Sequence, residues 1–394
     1  MRRLDIDVGS TYFKTSADGV TAQYFRDFEI SIYDDLRQKC SALLDSYTPE
    51  EIRICSSANG GLSTLIIGLT SLFSTKFATN IAFNSGINII DTLLYTQIAE
   101  AEIPTESIDV VIIVGGIDGV KSRYDETLIT YLSKLNYQNI LFAGNIESRE
   151  YLTSHIDDLV VLDNIVDNKL QVREAELKEY LTNLYQADIV GKEDIKKLYE
   201  ITANQIYSTP YIVNKALPHI KSLFEVADPF LLIDTGGATT DIHYSTDLID
   251  GKNIITESGY DRLVFKKLGV FKSRESLVFA AKNNEFVYEL LDHLDVNENI
   301  LEEHSDNATV VLMQLAIFLV LYKMSANHNS YVNLKLESLN SIIFTGGISK
   351  VLQSEQIEII VRFFYSKILG FSQIPTIIID RNYEIWVLGI EQSS

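Results

Sequence analysis

Apolar and polar positions along the chain repeat one arrangement. A short apolar run ends in an acidic residue, a glycine turn follows, and an alternating segment returns. Phe230-Leu231-Leu232-Ile233 reads as a buried strand ending in Asp234. Gly236-Gly237 can take the positive φ of a tight turn. Thr239-Thr240-Asp241-Ile242-His243-Tyr244 then alternates as the return strand. Residues 3–15 repeat the arrangement, with Asp7 and Gly9, the hydroxyl residues Ser10 and Thr11, and a return strand that carries Lys14. Near the end Ser341-Ile342-Ile343-Phe344 runs into Thr345-Gly346-Gly347 and a helical pattern.

Between these stretches, apolar residues recur at helical spacing over 32–45, and 51–56 reads as a short strand. That strand delivers Ser56-Ser57-Ala58-Asn59-Gly60-Gly61-Leu62, which reads equally as a ligand loop or an ordinary strand-to-helix connection. Residues 62–102 read as helix-rich. A buried strand over 109–114, the turn Gly115-Gly116-Ile117-Asp118-Gly119, a helix over 124–135 and strands at 139–145 and 159–162 predict a parallel sheet. The turn lacks G-x-G-x-x-G spacing and no acidic residue ends the next strand, which argues against nicotinamide binding. A regulatory or partner-docking subdomain is the better reading. Charged helices follow at 174–183, 192–207 and 211–224. Residues 254–262 lead into a helix, with Glu257 and Asp261 as cap and turn residues or as acids near a ligand. Helices over 275–283, 285–294 and 310–322 precede the third glycine motif, and a helix at 355–368, a strand at 376–380 and a helix at 383–391 close the chain.

The hairpin tips suggest a chemistry. Closely spaced backbone amides and hydroxyls form a nest for phosphate, and a carboxylate beside them can hold Mg²⁺ through water or orient an attacking water. A turn whose Asp only satisfies its own amides is the simpler alternative. Lys14 is placed to reach a phosphate oxygen, and Gly346-Gly347 lets an adenosine lie against backbone. The net charge of −21 argues against nucleic acid or an anionic membrane as partner. A polyphosphate would therefore need Mg²⁺, Lys14 and backbone amides for positive potential. Cys40 and Cys55, the two cysteines, exclude a disulfide framework or a four-thiolate site within one chain and fit a reducing cytoplasm. The opening Met-Arg-Arg lacks a signal-peptide pattern. The apolar run 310–322 falls short of the roughly 20 residues a bilayer needs, so a buried helix is expected.

An Asp-Gly hairpin, an Asp-Gly-Gly hairpin and Thr-Gly-Gly, in that order, resemble the first phosphate, second phosphate and adenosine motifs of the actin, heat-shock chaperone and sugar-kinase ATPase superfamily. The resemblance implies an α/β, two-lobed actin-like (ribonuclease H-like) ATPase fold with an inserted α/β subdomain. Its domains would be a first lobe at 1–55, an insertion at 56–226, a second lobe at 227–375 and a C-terminal helix, 376–394, returning to the first lobe. Asp7-Val8-Gly9-Ser10-Thr11, Ser56–Leu62 as quoted above, Gly115-Gly116-Ile117-Asp118-Gly119, Phe142-Ala143-Gly144-Asn145 and above all Gly237-Ala238-Thr239-Thr240-Asp241-Ile242-His243 resemble one branch. That branch is the MutL-like (GlmL-like) accessory proteins of cobalamin-dependent mutases.

Resemblance to this family implies an ATP-driven chaperone that exchanges damaged cobalamin out of a partner mutase. It implies Asp7 and Asp234 as catalytic residues holding Mg²⁺ through water. The implied nucleotide-binding residues are Gly9, Ser10, Thr11, Lys14, Gly236, Gly237, Thr239, Thr240, Gly346 and Gly347. A homodimer is left open. Tyr12-Phe13 and Glu257-Ser258-Gly259 depart from the pattern, so nucleotide binding is better supported than fast turnover. Asp241-Ile242-His243 is half of a cobalamin-ligating D-x-H-x-x-G pattern, but the sixth position is Thr246, and a packed His243 is expected. The competing readings are a small-molecule kinase with Asp118 or Asp91 as base, and a non-catalytic actin-like scaffold. An electron-transferring activator is disfavoured by the two cysteines.

Overall fold

The computed structural model describes residues 2–57, 62–85, 87–104, 107–120, 124–169, 171–191, 193–203, 206–248, 259–265, 267–325 and 334–393. They divide into two compact units, Met1–Leu4 with Asp27–Ile212, and Asp5–Arg26 with Val213–Ser394. The first hairpin thus groups with the second in one unit.

Strand β1 (Leu4–Val8) is buried along its length, Asp5 and Asp7 included. Strands β2 (Tyr12–Ala17) and β3 (Val20–Phe25) pair antiparallel, Tyr12 opposite Phe25 and Ala17 opposite Val20. Asp18 and Gly19 join them with φ of 49° and 87°, the two positive values that let a two-residue turn match strand twist.

In the unit built on Asp27–Ile212, β4 (Ile52–Ser56) is followed by β5 (Ser63–Gly68), β6 (Asn88–Leu94), β7 (Ile108–Val114), β8 (Tyr137–Phe142) and β9 (Val160–Val161). The last five form one sheet in the order β6-β5-β7-β8-β9, and every pairing in it is parallel. Leu65, Ile67, Val111, Ile113 and Phe142 pack against Leu128, Leu132 and Leu152 on its covering helices. Residues 62–102 are therefore not helix-rich: β5 and β6 flank the helix Lys76–Asn84. Buried central strands give unbroken apolar runs, such as Leu65-Ile66-Ile67, that periodicity cannot tell from a buried helix. Likewise the span 192–207 is the helix Glu193–Glu200 followed by β10 (Ile206–Ser208), which pairs parallel with β4.

The other unit repeats the grammar of the first hairpin and extends it. Strands β11 (Phe230–Thr235), β12 (Thr240–Ser245) and β13 (Tyr260–Phe265) are antiparallel neighbours. Strands β14 (Ser341–Gly346) and β15 (Thr376–Ile379) add in parallel beside β11, giving the order β13-β12-β11-β14-β15. Residues 260–265 are a strand and not the helix expected after 262, because this segment completes the sheet edge with Arg262 opposite His243.

One face of that sheet is covered by the helix Asp306–Met324, whose start is capped by the Ser305 hydroxyl. By length and composition this helix is apolar enough to cross a membrane, yet most of it is buried inside the protein. Leu315 and Phe318 meet Ile360, Val361 and Phe364 in the core. Leu315→Ala should lower the unfolding free energy by about 3 kcal/mol in urea titration, the cost of removing a buried leucine side chain. The opposite face carries the C-terminal helix Glu384–Glu391, with Ile385 packed among Phe230, Leu232 and Ile343. This helix belongs to the unit of the second hairpin, and the strand expected at 376–380 is β15 of its sheet. Asp380 starts the helix by accepting the amides of Glu384 and Ile385, and it also accepts the Thr345 hydroxyl at 2.9 Å. The end of β14 and the start of the helix are thereby tied together.

Candidate functional site

Both hairpins end in turns of one construction. The Gly9 amide donates to the Tyr12 carbonyl at 2.9 Å, and the Gly236 amide donates to that of Thr239 at 2.9 Å. Gly236 and Gly237 do not take the positive φ expected of them. Their glycines supply room instead. A Cβ on Gly9 would lie 2.7 Å from the Tyr12 oxygen, and one on Gly237 would lie 1.9 Å from Thr11 Oγ1. The side chain of Thr11 therefore seats directly on the second turn. Its hydroxyl is buried and has no hydrogen-bond partner among the described residues. A buried, unbonded hydroxyl is costly unless something absent from the chain itself completes it.

The loop after β13 holds the second turn from outside. Gly237 carbonyl oxygen accepts the amides of Phe271 and Lys272 at 2.9 and 2.7 Å, and Ser273 Oγ donates to the Ala238 carbonyl at 2.7 Å. Among the described residues no acceptor is found for the amides of Gly237 and Ala238.

Charge converges just inside the turns. Asp7, near the end of β1, accepts Lys14 Nζ at 2.9 Å. Burial alone would lower the Lys14 pKa, but the carboxylates of Asp7 and Asp234, with Tyr383 beside them, outweigh it and hold the ammonium raised. Asp234, at the end of β11, has its pKa pushed up to about 6 by burial first and then by Asp241 and Asp7, against the pull of Lys14 and Arg262. Gly346 lies against this carboxylate. With φ of +79°, a Cβ there would fall 2.2 Å from Asp234 Oδ1 and 2.6 Å from the Thr235 carbonyl. The Gly347 amide donates to that same carbonyl at 2.9 Å. Hairpin and third glycine motif thus meet at Asp234.

Behind the site, Arg262 is buried and ion-paired with Asp241, its Nε at 3.1 Å from Oδ1. Asp241 also accepts the Thr239 hydroxyl at 3.0 Å. His243 is enclosed in the sheet, where burial and Arg262 lower its pKa and keep the ring neutral. Among the described residues no group of three or more His, Cys, Asp or Glu could hold a metal. Two carboxylates with water suit Mg²⁺, which sheds its hydration reluctantly and rarely uses an all-protein cage.

The family model described as MutL protein matches residues 4–314. The chain belongs to the MutL family. A MutL protein of Clostridium tetanomorphum is 25% identical over 287 residues, covering 66% of this chain and 62% of that protein. The chain thus matches less than two thirds of that relative's length. Three solved structures align along nearly all of the chain at low identity. A glycerol dehydratase reactivase is 9% identical with a TM-score of 0.36, each chain covered in full. An activator of 2-hydroxyisocaproyl-CoA dehydratase from Clostridium difficile, with bound ADPNP, is 10% identical with a TM-score of 0.30, covering 100% of this chain and 94% of that one. A nucleotide-free acetone carboxylase is 12% identical with a TM-score of 0.36, covering 98% and 70%. Membership rests on the family match.

In this MutL chain Asp7, Lys14, Asp234 and Gly346 come together, and Gly9, Ser10, Thr11, Gly236 and Gly237 build the two abutting turns. Gly347 adjoins them through Thr235, and Thr239 lies beside Asp241. Thr240 does not join: its buried hydroxyl donates to the Leu268 carbonyl at 2.9 Å. Ala58 to Gly61, Glu257 and the side chain of Asp261 lie outside the described residues. Asp118 accepts the Ile146 amide at 3.0 Å and Asn164 Nδ2 at 3.1 Å, which gives it a structural role in its loop. Asp91 is exposed and accepts the next residue's amide. Sequence reasoning missed Arg262 and Tyr383. Alternation along β13 would have placed Arg262 beside Asp241, whereas nothing local announces Tyr383, whose neighbours come from distant parts of the chain.

Proposed function

We propose that this chain binds Mg·ATP at the two hairpins, hydrolyses it, and serves as an accessory protein to a cobalamin-dependent mutase. The observation that supports this most is the cluster Asp7–Lys14–Asp234 set beneath two abutting turns, one of which carries the buried, unbonded Thr11 hydroxyl. Asp7 and Asp234 would hold Mg²⁺ through water, and the ion would neutralise phosphate charge. Lys14 supplies a permanent cation where the chain is otherwise strongly acidic. The amides of Gly237 and Ala238 and the hydroxyls of Ser10 and Thr11 fit phosphate oxygens, and Gly346-Gly347 offers bare backbone to the nucleoside. Above pH about 6 the Asp234 carboxylate is ionised and suited to orient water or accept its proton. Little covalent chemistry is asked of the protein, so positioning and charge neutralisation carry the rate.

A mutase partner is what the family resemblance implies, and reactivation tests it directly. A cobalamin-dependent mutase inactivated by hydroxocobalamin should regain activity when this chain, ATP, Mg²⁺ and fresh coenzyme are added together. Recovery without ATP, or none with it, would oppose the reading. Neither the kinase reading nor the electron-transferring activator gains support from a specific contact. Asp118 is committed to its loop, and Cys40 and Cys55 are both buried, so neither thiol can share a cluster with a second chain.

A further inference from the structure

Tyr383 is the least expected residue of the site. It is buried, precedes the C-terminal helix, and holds a left-handed backbone with φ of 57°. A bulky residue in that region is uncommon and persists only where its surroundings fix it. Its hydroxyl donates to Gln23 Oε1 at 2.7 Å, on β3, the neighbour of β2. Lys14 Nζ lies 4.8 Å from the centre of its ring, and Lys350 Nζ lies 4.7 Å from the same centre. Lys350 stands in the short helix that follows Gly346-Gly347. Lys14 has a carboxylate partner in Asp7, whereas Lys350 has none within 4.0 Å among the described residues. One aromatic ring therefore gathers a cation from the phosphate hairpin and a cation from the adenosine motif, and the second has no carboxylate partner among the described residues.

We propose that Lys350 is a further phosphate-binding residue of the nucleotide site and that Tyr383 is the positioning residue that holds Lys350 and Lys14 toward the phosphates. This rests on the nucleotide-binding reading above and assigns two residues that the glycine motifs do not contain. A ring face attracts an ammonium without neutralising it, so Lys350 keeps its full charge for the ligand, while Lys14 shares its charge with Asp7. A carboxylate at position 383 would instead compete with phosphate for Lys350.

Calorimetric titration of wild type, Y383L, Y383F and K350Q with Mg·ATP and, separately, with adenosine tests this. Y383L and K350Q should each weaken Mg·ATP binding about tenfold, the scale of one cation–π or phosphate contact, and leave adenosine binding unchanged. Y383F keeps the ring and should recover most of what Y383L loses. K350Q should add little in the Y383L background, because the ring acts on ATP partly through Lys350. Equal losses for ATP and adenosine would mean a merely structural role, and wild-type affinities in both variants would remove the assignment. If Y383L does not fold, K350Q and Y383F still decide the matter. A wild type that binds neither ligand would sink the underlying nucleotide reading, an outcome distinct from failure of the variants.

Discussion

Replacing Asp234 with asparagine should cut ATP turnover by about a hundredfold or more and change ATP affinity by less than about threefold. Asparagine keeps the shape against Gly346, where no Cβ intervenes, but it cannot accept a proton from water. The effect should also have a pH signature. Because the Asp234 pKa is pushed up to about 6, wild-type turnover should fall as pH drops through that value, and residual turnover of D234N should not follow it. Stability should respond in the opposite sense. The folded-state pKa lies above the ordinary carboxylate value, so the native state binds the proton more tightly than the unfolded chain does. Wild-type stability therefore declines as pH rises from about 4 to about 6. D234N lacks that decline, and its melting temperature should exceed wild type at pH 7.5 and converge with it near pH 4. Parallel loss of turnover and affinity, or a stability difference independent of pH, would contradict the assigned role.

Lys14→Met should have the second large effect. Lys14 is the cation between Asp7 and Asp234, its side chain 16% exposed and that of Asp7 2% exposed. Removing one partner of such a pair leaves a buried charge without compensation, which costs about 3 kcal/mol, reduced here toward about 2 because Lys14 keeps some access to water. Urea denaturation at pH 7.5 reads that loss. Without the ammonium, the field of Asp7 and Asp241 acts unopposed from that side, so the Asp234 pKa should rise further and the acid limb of any residual turnover should move to higher pH. Mg·ATP affinity should drop at least tenfold, since a phosphate-facing cation has gone from a protein of net charge −21. An unmoved acid limb with full affinity would mean that Lys14 serves only to neutralise Asp7.

The chain's patterning made part of this legible. Both hairpins and the strand leading to Gly346 stand out because each joins a buried apolar run to glycine at a fixed place, and their residues do converge. The reason for glycine was misjudged at Gly236-Gly237: a long-range approach, Thr11 onto Gly237, sets the requirement, and local turn rules cannot see a contact 226 positions away. Strand β5 escaped notice because a doubly covered strand has no period of two. Thr240 looked like its neighbour Thr239, yet Thr239 closes the turn while Thr240 starts β12 with its hydroxyl buried on the Leu268 carbonyl. Tyr383 was illegible for a related reason. Its meaning comes from Lys14, Gln23 and Lys350, which only the folded unit brings to one ring.

The central claim is that the two hairpins form a metal-assisted triphosphate site, and titration calorimetry of ATP into the wild-type chain, with and without Mg²⁺, tests it most directly. The account predicts saturable binding at one site per chain that weakens sharply when Mg²⁺ is withheld. Absence of binding under both conditions, or binding indifferent to the metal, would contradict it.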